Sequence, residues 1–157
     1  MKILLLVIGK TDEKYLLDGM DKYRLRLKHY IGLDYEEIPD IKNRKSLSEA
    51  QQKKQEADLI LAKLKVGDKL VLLDDKGKDY RSIEFAKYLQ QQMNSGLKRL
   101  VFVIGGPYGF DTSVYNKSQG KISLSKMTFS HQMIRLFMME QVYRAMTILK
   151  NEPYHHE

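Results

Sequence analysis

The sequence predicts an α/β fold, a mostly parallel sheet with helices on both faces. Short apolar runs alternate with segments of helical periodicity along the 157 residues, which is typical of this class. The first run is apolar without interruption over residues 3–8, the pattern of a strand covered on both faces. A chain of this length, with no repeat and no shift in composition, is expected to form one domain over residues 1–157.

The individual elements follow from local patterns. Apolar residues recur at spacings of three and four in the predicted helices, and Pro39 ends the second predicted strand. Ser46 followed by Glu49 has the capping-box pattern that begins a helix. In chain order we expect a strand at 2–8, a helix at 13–29, a strand at 33–38, a helix at 46–64, a strand at 69–73, a helix at 82–96, strands at 100–104 and 122–124, and a helix at 131–149.

The composition narrows the function classes. The 27 Lys and Arg residues outnumber the 20 Asp and Glu residues, a net charge of +7 that favours a polyanionic partner such as RNA. A basic protein with solvated lysines fits the same charge. The absence of cysteine excludes disulfides, thiolate metal sites and cysteine nucleophiles. The apolar run at 3–8 is too short for a signal peptide or a spanning helix, so we expect a cytoplasmic protein with no membrane partner.

The loop after the predicted strand at 100–104 is the first candidate binding segment. It carries Gly105, Gly106 and Gly109, which let a ligand approach the backbone, although a tight turn needs the same glycines. No G-x-G-x-x-G or P-loop pattern occurs. Residues 105–113 contain no basic side chain, and Asp111 is placed to cap the next helix, where it repels phosphate. A neutral or cationic ligand, such as an adenine nucleoside carrying a sulfonium, fits this loop better.

Residues 122–131 and the helix that follows form the second candidate segment. Small hydroxyl residues there leave backbone groups free to recognise an adenine edge, but Ser130 could equally serve only to cap the last helix. The helix presents an apolar face with Met133, Phe137 and Met138, typical of a core or of a dimer interface.

The C-terminal tail is the third candidate segment. Tyr154, His155 and His156 follow Pro153, and histidine titrates near neutral pH, where it can move a proton or meet a phosphate. A frayed terminus or a purification-tag remnant is the competing interpretation. The histidines do not have the spacing of a metal site, and we expect no metal.

Three motifs in this order closely resemble the RlmH family of bacterial SPOUT-class methyltransferases. They are IGGPYG at 104–109, SLSKMTFSH at 123–131, and the ending with YRA at 143–145 and NEPYHHE at 151–157. The resemblance spans the whole chain. It implies a homodimer whose sheet has its C-terminal part threaded into a deep trefoil knot. It also implies that S-adenosylmethionine is used to methylate N3 of a pseudouridine in 23S ribosomal RNA, on the large subunit or the assembled ribosome.

Specific site residues follow from this comparison. The cofactor contacts implied by the resemblance are Leu73, Gly105, Leu124, Ser125, Lys126, Met127, Thr128 and Phe129. The candidates for accepting the N3 proton or positioning the uracil are His155, Tyr154 and His131. The expected RNA contacts are Arg24, Arg26, Arg135, Arg144 and His156. Arg24 and Arg26 belong to a cluster of basic residues on the first predicted helix, and a solvated helix face explains that cluster equally well. Many relatives carry arginine where this chain has His156, which meets phosphate as a cation only when protonated.

Two other classes of protein remain open. A non-catalytic RNA- or ribosome-binding α/β module explains the charge but leaves the glycine loop without a role. A hydrolase-like or nucleotide-binding enzyme explains the loop, but no nucleophile elbow or phosphate motif is present. Binding of S-adenosylmethionine would separate the methyltransferase from both.

Overall fold

A computed structural model describes residues 1–156 of the chain. The strands are β1 (Lys2–Ile8), β2 (Gly32–Ile38), β3 (Asp68–Asp79), β4 (Arg99–Ile104) and β5 (Gly120–Ser123). The helices are α1 (Lys14–Leu27), α2 (Glu49–Ala62), α3 (Ser82–Asn94), α4 (Thr112–Lys117) and α5 (Met133–Leu149), with a short 3₁₀ turn at Arg44–Ser46. The alternation of strands and helices predicted from the sequence is confirmed.

The strands form one five-stranded sheet in the order β2-β1-β4-β3-β5, and every pairing is parallel. Leu5 of β1 lies between Tyr35 of β2 and Phe102 of β4. Because all strands run in one direction, their carboxyl ends meet along a single edge of the sheet. The trefoil knot implied by the family resemblance stays a prediction.

Both faces of the sheet are covered, as the apolar run of β1 predicts. Alternate residues of β1 point to opposite faces, so Leu5 packs beneath α1, α3 and α5, whereas Leu6 packs beneath α2 and α4. Both of these leucines are fully buried. On the α5 side the core includes Met138, so this methionine, assigned from sequence to a possible dimer face, belongs to the chain's own core.

Two local predictions are corrected by the structure. Helix α2 is capped by Ser48, whose hydroxyl accepts the Gln51 N–H while the Gln51 side chain accepts the Ser48 N–H. Ser46 instead donates its hydroxyl hydrogen to the carbonyl of Asn43 within the 3₁₀ turn. Near α5, the Ser130 hydroxyl accepts the first helical N–H, that of Met133, although the helix itself begins two residues later than predicted.

Strand β3 is longer than its sequence predicts and carries a bulge. It pairs with β5 at Leu73 and again at Lys78, and both residues face Ile122, so the chain between them loops out of the ladder. Gly77 within this bulge lies against the β5 backbone. A Cβ at this position would be 2.5 Å from the Ile122 carbonyl carbon, closer than real side chains come. The bulge therefore requires glycine at position 77.

We expect Gly77→Ala to lower the free energy of unfolding by about 3 kcal/mol or more, because the added methyl group forces β3 and β5 apart. Gly120→Ala is the matched control, since a Cβ there meets only Val71 at ordinary contact distance. We expect that control to change stability by less than about 1 kcal/mol. Urea unfolding of both variants checks this, and equal midpoints would contradict the assigned close approach.

Candidate functional site

A cavity of about 250 Å³ opens at the carboxyl edge of the sheet. It lies where β3, β4 and β5 end, and Ile134 at the beginning of α5 closes one side. Of the predicted cofactor contacts, seven line this cavity: Leu73, Gly105, Leu124, Ser125, Met127, Thr128 and Phe129. Three segments that are distant in sequence therefore meet in one place.

Lys126 is the exception among the predicted cofactor contacts. Its side chain is 88% exposed, and its ammonium group lies 3.9 Å from Asp79 rather than in the cavity. The turn around it is held by Ser125, whose hydroxyl accepts the Met127 N–H at 2.9 Å, and by Ser123, whose hydroxyl donates to the Ser125 carbonyl at 2.9 Å. These bonds direct the side chains on either side of Lys126 towards the cavity while Lys126 itself points to solvent.

The glycine loop is supported from below by a buried carboxylate. Glu56 of α2 is buried, and its carboxylate accepts hydrogen bonds from the Gln52 amide and from the Gly106 N–H. A Cβ on Gly106 would be 2.6 Å from the Glu56 carboxylate, so the loop can lie this close only with glycine. Burial raises the pKa of Glu56, and the two hydrogen bonds act in the opposite direction.

The electrostatic character of the cavity is acidic. Asp74 and Asp75, at the beginning of the β3 bulge, line it, and none of the described residues around it is Lys or Arg. Burial raises the pKa of Asp74, but hydrogen bonds from the Tyr115 hydroxyl at 2.5 Å and the Lys76 N–H outweigh burial and hold that pKa below its usual value. Asp74 is therefore ionised at neutral pH, and the cavity favours a cation over a phosphate.

The loop after β4 carries the helix cap that the sequence predicts. Asp111 caps α4, and its carboxylate accepts the Ser113 N–H at 2.8 Å. This carboxylate occupies the helix N-terminus that an anion would otherwise use. The loop and the cavity therefore both disfavour a phosphate ligand.

Among the three predicted catalytic residues, only His131 lines the cavity. It lies at the mouth, directly before α5. Burial lowers the pKa of the His131 imidazole, and the positive charge of Arg135 lowers it further. Both causes disfavour the imidazolium form, so His131 is neutral at physiological pH and can accept a proton.

The tail does not reach the cavity of its own chain. Tyr154 packs edge-on against Tyr143 of α5, and its hydroxyl hydrogen-bonds with Glu140 at 3.1 Å and Tyr23 at 3.3 Å. Nδ1 of His155 lies 3.4 Å from Nη1 of Arg144. Ten residues separate the cavity residue Ile134 from Arg144, which is about 15 Å along the helix axis. Tyr154 and His155 are thus predicted catalytic residues that the single chain keeps apart from His131.

The predicted RNA contacts fall into three environments. Arg24 is exposed and paired only with Asp21, and His156 is also exposed. Arg26 stacks over the Tyr23 and Tyr143 rings, and Arg144 pairs with Glu140 and lies over the Tyr154 ring, so both support the tail. The prediction for Arg135 is corrected, since its side chain is 2% exposed and its guanidinium donates only to groups inside the protein.

Several residues of the site are not among those predicted from the sequence. Asp75, Phe110 and Ile134 line the cavity, and Glu56 supports it from a helix 50 residues before the glycine loop. Glu56 does carry one sequence signal. It lies on the apolar side of a predicted helix, near Ala57 and Ile60, where a core-facing stripe would normally have an apolar residue.

Within residues 1–156, no helix has the length and apolar character needed to cross a bilayer. That part of the chain also brings together no group of three or more His, Asp or Glu side chains that could hold a metal ion.

A parallel α/β sheet with a glycine-lined cavity at its carboxyl edge is typical of proteins that bind a small ligand at that edge. The family model described as "Predicted SPOUT methyltransferase" matches residues 1–155, and this chain belongs to that family. Membership of a methyltransferase family favours an enzyme over the non-catalytic RNA-binding module.

Relatives match the chain over its full length. A protein of Parabacteroides distasonis is 62% identical over 157 residues, and one of Flavobacterium johnsoniae is 60% identical over 157 residues; each match covers all of both chains. A protein of Bacteroides thetaiotaomicron is 57% identical with the same coverage. All three are named ribosomal RNA large subunit methyltransferase H.

We expect the His131 imidazole to titrate below 6.5, the ordinary value for histidine, because burial and Arg135 both disfavour its charged form. The C2-proton resonances of the four histidines, followed by NMR from pH 4 to 8, measure this directly. His131→Gln assigns the resonance by removing it. A midpoint for His131 at or above 6.5 would show that the cavity mouth is wetter than its geometry indicates.

Proposed function

We propose that this protein transfers a methyl group from S-adenosylmethionine to N3 of a pseudouridine in 23S ribosomal RNA, on the large subunit or the assembled ribosome. The observation that carries the proposal is the cavity itself. It joins Leu73, the glycine loop and residues 124–129 at one edge of the sheet, and it presents carboxylates without a Lys or Arg side chain among its described residues. The relatives' name, ribosomal RNA large subunit methyltransferase H, supports the same substrate class.

The residues present fit this cofactor. Leu73, Ile104 and Phe110 offer apolar surface to an adenine, and residues of the segment 124–129 that line the cavity offer backbone hydrogen-bonding groups to its edge. Asp74 and Asp75 supply negative charge near a sulfonium. When bound, S-adenosylmethionine supplies an electrophilic methyl group, which moves to N3 as the carbon–sulfur bond breaks.

The proton on N3 must leave for the nitrogen to become a nucleophile, and His131 is the candidate acceptor. It lies at the cavity mouth and its lowered pKa keeps the ring neutral. Tyr154 is a poor acceptor, because burial and its hydrogen bond with Tyr23 raise the pKa of its phenol. We assign the Tyr154 hydroxyl to holding the tail, and the imidazole of His155 to orienting the uracil or relaying its proton.

A tail that lies away from its own cavity can serve catalysis in an assembly of two chains. We propose a homodimer in which the tail of one chain covers the cavity of the other. Phe129 and Phe137, packed edge to face at 4.7 Å, are both partly exposed beside the cavity, and Met127 next to them is 77% exposed. Covering this apolar patch with a second copy removes it from water and narrows the cavity mouth.

The basic surface supports binding to RNA. The net charge of +7 contrasts with the acidic cavity, so positive side chains lie elsewhere on the molecule. Arg24 is 46% exposed, and its pairing with Asp21 is a surface ion pair that contributes little energy, so it can exchange the carboxylate for an RNA phosphate. We propose that the protein acts in the cytoplasm, where its ribosomal substrate is found.

We expect Gly105→Val to abolish measurable binding of S-adenosylmethionine, because a Cβ at this position meets the Phe110 ring at 3.0 Å and pushes that ring into the cavity. Gly32→Val is the matched control at the opposite edge of the sheet, where the added group meets only the flexible Lys2 side chain. Isothermal calorimetry measures both variants beside the parent. Parent-like affinity in a folded Gly105→Val protein would remove the glycine loop from the cofactor site.

A chain ending at Glu152 should keep its fold and bind S-adenosylmethionine, because residues 153–156 lie outside the cavity. Methyl transfer to ribosomes with the unmethylated pseudouridine should fall by at least about 10²-fold, the lower range for a lost acid–base group. Light scattering should still find a dimer.

Mixing two inactive chains tests which cavity each tail serves. The truncated chain keeps a cavity without a tail, and the Gly105→Val chain keeps a tail without a working cavity. In a mixed dimer the tail of the second chain can complete the cavity of the first. We expect co-expressed chains to recover about a quarter of the parent rate per site, since half of the dimers are mixed and each has one complete site. No recovery would mean that each tail serves its own chain.

A further inference from the structure

Arg135 is a buried cation that the proposed mechanism does not use. Its side chain is 2% exposed, although arginine is almost never fully buried unless its charge is partnered. It lies in the first turn of α5, one residue after the cavity residue Ile134. Burying a charge at this position costs free energy that an apolar side chain would not, so its contacts must supply something that packing alone does not.

The guanidinium joins two parts of the molecule through three strong hydrogen bonds. Nη2 donates to the carbonyl of Ile8, the last residue of β1, at 2.6 Å, and Nη1 donates to the Thr11 hydroxyl at 2.7 Å. Nε donates to the carbonyl of His131 at 3.0 Å. The carboxyl end of β1 is therefore tied to the residue that forms the cavity mouth.

The opposite charge comes from Glu37 near the end of β2, which completes the network. Its Oε1 lies 3.9 Å from Nη1 of Arg135 and accepts both the Thr11 N–H at 2.8 Å and the Tyr35 hydroxyl at 3.0 Å. Thr11 and Tyr35 also share a hydrogen bond at 2.7 Å. Among the described residues no buried side-chain nitrogen or oxygen is left without a partner, so the network is closed and stiff.

We propose that Arg135 is a positioning residue. By linking the His131 carbonyl to the end of β1, it fixes the position of the cavity-lining segment 124–131 relative to the carboxyl edge of the sheet. The segment is otherwise exposed over residues 126–131, and its hydrogen bonds at 123–130 are short-range. The next residue, Gln132, is hydrogen-bonded to Asp12 and Glu13 in the loop after β1, whereas Arg135 bonds the His131 backbone to the end of β1 itself. The expected effect of Arg135 on methyl transfer rests on the proposed function. Its role in holding the segment 124–131 in place rests on the contacts alone.

The three acceptors of Arg135 lie in different directions, and only the planar guanidinium of arginine has N–H groups placed to reach all of them. A lysine at position 135 offers one ammonium group on a flexible stem and cannot span the Ile8 and His131 carbonyls together with the Thr11 hydroxyl in the same geometry. The inference therefore predicts that keeping the positive charge is not sufficient, and that keeping the Thr11 hydroxyl matters although Thr11 does not line the cavity.

The experiment compares Arg135→Met, Arg135→Lys and Thr11→Val with the control Arg99→Met. Arg99 also forms an arginine–carboxylate pair, with Asp68, but at the amino edge of the sheet away from the cavity. Single-turnover methyl transfer with saturating S-adenosylmethionine measures the rate constant, and calorimetry measures cofactor affinity. We expect both Arg135 variants to lose at least tenfold in rate constant, and Thr11→Val to lose several-fold while Thr11→Ser recovers it. Arg99→Met should turn over at the parent rate.

Amide hydrogen exchange provides a readout that does not depend on activity. We expect residues 124–131 to exchange faster in Arg135→Met and Thr11→Val, with the central strands and Arg99→Met unchanged there. If the parent protein fails to methylate ribosomes, the proposed function is wrong, yet faster exchange in this segment still supports the anchoring role. Parent-like exchange at 124–131 together with a parent-like rate constant in folded Arg135→Met and Thr11→Val would overturn the inference.

Discussion

Parallel hydrogen bonding around β1 is the constraint on which the rest of the molecule depends. β1 pairs with β2 on one side and β4 on the other over nearly its full length, and its apolar residues are buried on both faces. A strand in that position needs helices above and below, and parallel strands need crossover connections that supply them. Both faces are consequently occupied, and the carboxyl edge, where the loops gather, remains as the place for a site.

The bulge in β3 gives this edge its particular shape. The pairing of β3 with β5 stops after Leu73 and resumes at Lys78, so residues 74–77 are not part of the ladder. The excursion of 74–77 instead brings two aspartates to the cavity wall opposite residues 124–129. Gly77 makes this possible because only a residue without a Cβ can lie against the β5 backbone at Ile122. A single backbone contact thereby determines the electrostatic character of the cavity.

Charge is distributed unevenly over the protein, and the distribution matches its chemistry. The chain as a whole is basic, with a net charge of +7, while the cavity is bordered by carboxylates. Under the proposed function, a cationic nucleoside and a polyanionic RNA bind different groups of the protein and do not compete for them. Arg135 directly follows the cavity residue Ile134, but its charge is satisfied internally by Glu37 and by carbonyl and hydroxyl oxygens, so it contributes geometry rather than attraction for RNA.

The sequence by itself determined the fold class, the order of the elements and most of the segments that line the cavity. Apolar periodicity and the glycine loop are local signals, since neighbouring residues create them, and the motif at 123–131 is contiguous. Their meeting at one cavity followed from the parallel sheet, in which strand ends lie together. The exception, Lys126, depends on a turn held by Ser123 and Ser125 that periodicity does not encode.

Only the tertiary structure decided the roles of residues whose partners are distant in sequence. Arginine is a residue type typical of RNA contacts, but Arg135 is buried like a core residue. Its acceptors Ile8 and Thr11 lie more than 120 residues earlier in the chain, so the sequence around Arg135 does not reveal them. Tyr154 and His155 are residue types suited to catalysis, but their contacts with Glu140 and Arg144 hold them away from the cavity of their own chain. Burial and long-range hydrogen bonds are properties of the folded chain, and no local pattern contains them.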